Sequence, residues 1–284
     1  MRIKVWGCRG SIAAPGSTTL RYGGNTTCLE LRTNTGLITI VDAGSGVRNL
    51  GRTLSREKDL PPIHFFFTHS HWDHLAGFPF FEPAYSYNSS ITFCSGPHAQ
   101  DFLKSCITDQ MRAPYFPVDF KRLKAKFDFH CQRPHMEPGH CNLDGLKIFP
   151  VVLSHPNGGY GFKFVEQEKT FVFLTDNELR FPHEGGLGWE QYASFCRGAD
   201  LLFHDAQYTE EEYEHTRGWG HSTFADATDL AIEAGVSRLG LFHHDPNRSD
   251  DDLDQQVKRC RDRIRLAGSS MDCLAIAEGM QFDL

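Results

Sequence analysis

The segment Ile63-His64-Phe65-Phe66-Phe67-Thr68-His69-Ser70-His71-Trp72-Asp73-His74 decides how this chain is read. Its first five residues are apolar and aromatic apart from His64, which predicts a short buried strand whose C-terminal end delivers His69 and His71 into a loop. Open α/β sheets place their chemistry at such strand ends. At alternate positions of an extended loop, His69 and His71 project to one side, and Asp73 and His74 follow at the turn into the next helix. Three imidazoles and one carboxylate within six residues form a donor density that suits divalent metals. An isolated histidine is usually a core or surface residue; four donors at this spacing reverse that expectation and point to two neighbouring ions.

The surrounding composition narrows the class. A chain of 284 residues with 40% hydrophobic content can bury a sizeable core and is read as one compact domain, 1–284. A formal charge of -7 disfavours a broad basic face, so an extended nucleic acid is not expected as a partner, whereas a small anion needs only the local charge that metals supply. Nine scattered cysteines, an odd number without a C-x-x-C pair, predict reduced thiols and a cytoplasmic setting. The opening Met1-Arg2-Ile3-Lys4-Val5-Trp6-Gly7 has no apolar leader core, and no apolar run reaches about 18 residues, so no membrane partner is expected.

Along the chain, strands are expected at Ile3 to Trp6, Thr27 to Leu31 and Leu37 to Val41, then a helix from Val47 to Lys58 that Pro61-Pro62 stops. Further strands are expected at Ile91 to Cys94, Leu146 to Val152, Gly161 to Val165, Thr170 to Leu174, Asp200 to Phe203, Arg238 to Phe242 and Asp272 to Ala275. Helices are expected at Pro97 to Thr108, Gly188 to Cys196, Ser222 to Ala234 and Asp250 to Arg265. The stretch from Arg112 to His140 alternates poorly and is read as a lid or substrate-facing insertion.

H-S-H-W-D-H resembles the H-x-H-x-D-H signature of the metallo-β-lactamase superfamily. The resemblance implies an α/β fold, the αββα four-layer sandwich, and later donor positions in a set order. Ser154-His155-Pro156 after one apolar strand, Thr175-Asp176 after another, and Phe242-His243-His244 at the end of a late strand occupy them. By this resemblance His69, His71 and His155 hold one metal, Asp73, His74 and His243 hold the other, and Asp176 bridges them. His244 competes with His243, His155 taken alone is as readily a loop histidine, and Asp176 as readily a helix N-cap. Two divalent ions are implied, zinc first, with manganese or iron fitting the same donors. No cysteine falls in a donor position.

Gly220-His221-Ser222-Thr223 resembles the G-H-S-T segment of the phosphodiesterase branch, seen in tRNase Z and related enzymes, and His204-Asp205-Ala206 resembles its H-[DE]-A segment. That branch implies His221 as general acid, Asp205 as its orienting partner, and Asp73 as a carboxylate with both metal-holding and catalytic duty. An alkoxide leaves poorly unless a group with pKa near neutrality donates a proton, and imidazole is the usual choice. Gly7-Cys8-Arg9-Gly10-Ser11 and Tyr22-Gly23-Gly24-Asn25-Thr26 also resemble the start of this branch. Asn25 and Ser222 are candidate substrate contacts; a turn-stabilising role for Asn25 and helix capping by Ser222 or Thr223 are the alternatives. Asp42 in V-D-A-G resembles a carboxylate that fixes imidazole tautomers from behind. The resemblance thus implies a binuclear hydrolase of a small phosphodiester such as a cyclic nucleotide; the sequence leaves the assembly open, a homodimer included. A thioester or lactone hydrolase, a tRNase Z-like RNA-processing enzyme and a metal-retaining sensor are its rivals.

Overall fold

The computed structural model describes residues 1–94, 100–129, 136–137 and 140–284. Its first half carries β1 (Arg2–Gly7), β2 (Cys28–Arg32), β3 (Ile38–Val41), α1 (Val47–Leu54), β4 (Ile63–Phe66), α2 (Trp72–Leu75), β5 (Ser90–Cys94), α3 (Gln100–Asp109) and β6 (Lys126–Asp128). The second half carries β7 (Met136–Glu137), β8 (His140–Leu143), β9 (Leu146–Val152), β10 (Tyr160–Glu166), β11 (Lys169–Leu174), α4 (Trp189–Cys196), β12 (Leu201–Asp205), α5 (Glu210–Thr216), α6 (Phe224–Glu233), β13 (Arg238–Phe242), α7 (Asp250–Leu266), β14 (Asp272–Ala275) and β15 (Gln281–Asp283).

Two mixed sheets result, in the orders β15-β1-β2-β3-β4-β5-β6 and β14-β13-β12-β11-β10-β9-β8-β7. Strand alternation assigns each sheet an inner and an outer face. In β4, Phe65 packs outward with Val47, Leu50 and Leu54 of α1, whereas Phe66 turns inward. In β11, Phe171 and Phe173 face inward, and Val172 and Leu174 face outward onto Tyr192, Leu230 and Val257 of the helices. The inner layer between the sheets is rich in phenylalanine. Phe203, fully buried, meets Phe171, Phe242 and Phe282 at ring-centroid distances of 5.0, 5.8 and 5.4 Å. Helices on both outer faces complete the αββα four-layer sandwich.

The topology also sets where the loops gather. In the second sheet β11, β12 and β13 are parallel, and β9 runs with them because both pair antiparallel to β10. In the first sheet β3, β4 and β5 are parallel. The C-terminal ends of these strands carry Asp42, the His69 loop, His155, Asp176, Asp205 and His243.

Several expectations needed adjustment. The helix after Asp42 stops at Leu54 rather than Lys58, and the expected helix start at Pro97 lies outside the described residues. Within the stretch read as a lid, Lys126–Asp128 instead forms an edge strand parallel to β5, with Leu123 and Ala125 buried. Phe127 and Phe129 stack on Phe93 at 6.0 and 4.7 Å, so this stretch closes the first sheet's outer core; its remainder to 140 is only partly described. Its mixed charge hid a strand that alternates only over three residues.

Truncating Phe203 to alanine removes the common contact of three rings in a layer that cannot collapse between two sheets. A loss of about 3–5 kcal/mol in unfolding free energy is expected. Chemical denaturation of Phe203→Ala beside the unsubstituted protein measures it, and a loss below about 1 kcal/mol would contradict the packing described here.

Candidate metal centre

The turn Asp42-Ala43-Gly44 and the loop after β4 support each other first. Asp42 adopts a left-handed φ of 61° and is fully buried. Its carboxylate accepts from the Thr68 amide and the Thr68 hydroxyl, both at 2.8 Å, and lies 2.7 Å from His74 Nδ1. The Ala43 amide donates to the His74 carbonyl at 2.7 Å. Gly44 is required by proximity, because a Cβ there would lie 2.2 Å from the Asp73 carbonyl oxygen. The short helix α2 is thereby pressed onto the turn, with Asp73 and His74 buried.

His69, His71 and His155 bring their ring nitrogens together, as do Asp73, His74, Asp176 and His243, with the donor atoms of each set within 4.8 Å of one another. Asp176, at a φ of 52°, stands between the sets. Its Oδ1 lies 3.3 Å from His74 Nε2 and 3.2 Å from His243 Nε2; its Oδ2 lies 3.7 Å from His69 Nε2 and 3.8 Å from His155 Nε2. His71 offers Nδ1, 3.1 Å from His155 Nε2. No helix follows Asp176 until Trp189, so the N-cap alternative fails. His243 Nε2 faces Asp73 Oδ2 at 3.1 Å, whereas His244 turns away and its Nε2 donates to the Ile276 carbonyl at 2.7 Å. Of the adjacent histidines, His243 is the one that faces the donor cluster.

The imidazoles are held from behind. Nδ1 of His69 lies 3.0 Å from Thr68 Oγ1, that of His155 lies 2.9 Å from the Gly220 carbonyl, and that of His243 lies 2.9 Å from Gln207 Oε1. Such contacts set which nitrogen of each ring faces the cluster. Gln207 and Thr68 were not singled out in the sequence, because an amide or hydroxyl behind a histidine has no spacing signature.

The donor set fits divalent cations on a direct observation: among the described residues, Nε2 of His69 and of His74 are buried without a hydrogen-bond partner. Buried imidazole nitrogens rarely go unpaired unless an ion takes the place of a donor or acceptor. Charge is divided unevenly. Burial pushes His155 down to about 4 and holds His69 well below its ordinary value, so both stay neutral donors. Burial also opposes a charge on His74, but Asp73, Asp176 and Asp42 outweigh it and hold this imidazole well above its ordinary value. In the same way His74 and His243 hold Asp73, against its burial, below the usual carboxylate range.

His221 sits at the border of the cluster, its ring centroid 5.4 Å from that of His155. Its Nδ1 lies 2.6 Å from Asp205 Oδ2, and Asp205 Oδ1 accepts from the amides of Gln207 and Ser222 at 3.2 Å. Burial opposes charging of His221, yet Asp205, helped by Asp176 and Asp73, pushes it up to about 9. With Nδ1 engaged, Nε2 is the atom able to give up a proton.

The two expected substrate contacts are occupied internally. Asn25 donates from Nδ2 to Glu278 Oε2 at 2.9 Å and accepts from Ser45 Oγ at 3.0 Å, which favours its turn-stabilising role. Ser222, buried, donates to the Asn177 carbonyl and accepts from the Leu179 amide at 3.1 Å. Thr223 is the helix cap, accepting from the Asp226 amide at 3.0 Å.

The family model described as "Beta-lactamase superfamily domain" matches residues 39–244, which contain every donor named above. A ribonuclease Z of Exiguobacterium sibiricum is 23% identical over 214 residues, covering 63% of this chain and 69% of that protein. Among solved structures, the metallo-beta-lactamase fold protein YhfI of Bacillus subtilis aligns with a TM-score of 0.69 at 18% identity, over 99% of this chain and 98% of that one. A diphosphatase of the PhnP family aligns with a TM-score of 0.70 at 15% identity, over 100% of this chain and 97% of that one. Likeness to ribonuclease Z leaves the expectation against an extended nucleic acid without support. Among the described residues, no helix is long and apolar enough to cross a membrane. Matched over most of its length and carrying a cluster of histidine and aspartate donors suited to metal, the chain belongs to the metallo-β-lactamase superfamily of hydrolases, on the branch that includes ribonuclease Z and the phosphodiesterases.

Proposed function

We propose that the protein is a binuclear phosphodiesterase that cleaves a small phosphodiester such as a 3′,5′-cyclic nucleotide. The observation that carries this reading is the His221–Asp205 pair, 2.6 Å apart and placed beside the metal donors His155 and Asp176. His69, His71 and His155 would hold one ion, and Asp73, His74 and His243 the other, with Asp176 between them. When bound, the ions supply an activated water and positive charge against the phosphoryl oxygens. His221 holds the proton at Nε2 that the departing alkoxide oxygen needs, and Asp205 keeps that proton on the ring at neutral pH. A thioester or lactone hydrolase has less need of such an acid. Trp72 and Trp219, 69% and 62% exposed, adjoin His71 and Gly220 in the chain and offer free ring faces to a nucleobase. Zinc suits the histidine-rich set, and manganese or iron fits it as well.

A second reading, cleavage within RNA, is favoured by the likeness to ribonuclease Z over 214 residues. Turnover of cyclic nucleotides beside that of structured RNA separates the two.

The role of His221 is tested by its leaving-group dependence. In His221→Ala, turnover of 3′,5′-cyclic AMP is expected to fall ~10²–10⁴-fold, because an alkoxide leaves. Bis(p-nitrophenyl) phosphate, which releases a stable phenolate, is expected to lose much less. Equal losses on both substrates, or none, would remove His221 from the acid role.

Metal binding should differ in pH dependence between the sets. His155 and His69 are neutral through the ordinary pH range, so affinity of their set is expected to stay flat from about pH 5 to 8. His74, raised well above its ordinary value, carries a proton there that a metal must displace. Its set is expected to lose affinity by about tenfold per pH unit on acidification and to release about one proton per ion bound. Zinc titration calorimetry in buffers of different ionisation enthalpy measures both. Identical pH dependence at the two sites would contradict this charge distribution.

A further inference from the structure

Glu178, two residues after Asp176, belongs to none of the metal-donor groups among the described residues, yet it is 1% exposed. All four contacts of its carboxylate are with donors. Oε1 accepts from Tyr213 Oη at 2.6 Å and from the Gly218 amide at 2.7 Å; Oε2 accepts from the Gly220 amide at 2.7 Å and lies 2.8 Å from His183 Nε2. No arginine or lysine is among these partners. Burying a carboxylate in this way is costly unless every oxygen is satisfied, so the arrangement calls for a reason beyond packing. An acceptor-only group is what two fixed backbone amides demand, since a glutamine would turn its NH2 toward one of them.

The segment gripped by Glu178 is Gly218-Trp219-Gly220, with φ of 86° and 96° at its glycines. Gly220 packs so closely on the metal centre that a Cβ would lie 2.0 Å from His155 Nδ1. Its carbonyl is the partner of that same Nδ1 at 2.9 Å, and the next residue is His221. On its other side the Glu178 amide donates to the Ser154 carbonyl at 2.8 Å, and Asn177 Oδ1 accepts from the Ser154 amide at 2.9 Å. One residue therefore joins the loop that carries His155 to the loop that carries His221, and its own loop carries Asp176.

We infer that Glu178 is a positioning residue of the metal centre: by clamping the Gly218 and Gly220 amides, it places the Gly220 carbonyl on His155 Nδ1 and so holds His155 in the tautomer that presents Nε2 to a metal. The same clamp sets the starting point of His221. This inference rests on the reading of His155 as a metal donor, and it is tested without any substrate.

The experiment is zinc affinity of the full chain by chelator competition, together with 15N imidazole spectra of the zinc-loaded protein, on Glu178→Gln. Zinc affinity of the His69, His71 and His155 set is expected to fall ~10–100-fold, the effect usual for removing an orienting partner. The Nδ1–H signal of His155 is expected to weaken or vanish, and kcat on bis(p-nitrophenyl) phosphate to fall while KM changes by less than about threefold. Glu184→Gln, on the exposed side of the same loop, should leave all three unchanged. If Glu178→Gln does not fold, Glu178→Asp is read by the same criteria, because its shorter side chain cannot reach both amides. Unaltered zinc affinity with the His155 Nδ1–H signal intact, in whichever variant folds, would overturn the inference. A wild-type protein that binds two zinc ions and cleaves no phosphodiester would instead overturn the proposed function, leaving the zinc and imidazole measurements to judge Glu178.

Discussion

The carboxylate of Asp176 is where the two sheets are joined chemically. It is 2% exposed, so its charge is held only if opposite charges and donors surround it. His69 reaches it from the loop after β4 and His74 from α2, both following one sheet, and His155 and His243 reach it from beyond strand ends of the other. Burial opposes ionisation of Asp176, but His243 and His74 hold it well below the ordinary carboxylate range. Neither sheet alone could place these rings, because the four come from opposite sides of the phenylalanine layer. The sandwich is thus a frame for one buried charge and the cations it implies.

The rings themselves cannot be left to rotate. A histidine offers two nitrogens, and a metal centre needs a chosen one of each. Here the choice is made by oxygens behind the rings: Asp42 for His74, Gly220 for His155, Gln207 for His243 and Asp205 for His221. Three of those four oxygens belong to side chains on or next to strands, which are stiff. The fourth is a backbone carbonyl in a glycine turn, and a buried carboxylate holds that turn. The support of the centre is therefore strongest where secondary structure provides it and is supplemented by Glu178 where a loop must do the same task.

Electrostatics separates the two donor sets in a way that their residue types do not. His69 and His155 are kept neutral by burial, whereas His74, packed against Asp73, Asp176 and Asp42, is kept charged. A protonated His74 neutralises the carboxylates that a second ion would otherwise meet. His221, at the border of the cluster, is likewise kept protonated by Asp205.

Much of this was legible in the amino-acid sequence. The alternating apolar runs identify most of the strands, and H-S-H-W-D-H with His155, Asp176, His243, Asp205 and His221 marks strand and loop ends that the structure gathers into one cluster. The strands and the H-S-H-W-D-H cluster are local properties, because hydrophobic period and donor density are written in consecutive residues, whereas the later positions were reached only through the resemblance to the metallo-β-lactamase superfamily. Tertiary structure alone decided what depends on distance across the fold. It separated His243 from His244, engaged Asn25 with Glu278 and Ser222 with Asn177, turned the segment around Lys126 into an edge strand, and brought Gln207 and Glu178 behind the histidines. A side chain that acts by holding another has no periodicity of its own, and its role exists only once the chain has brought its partner, tens of residues away, to hydrogen-bond distance.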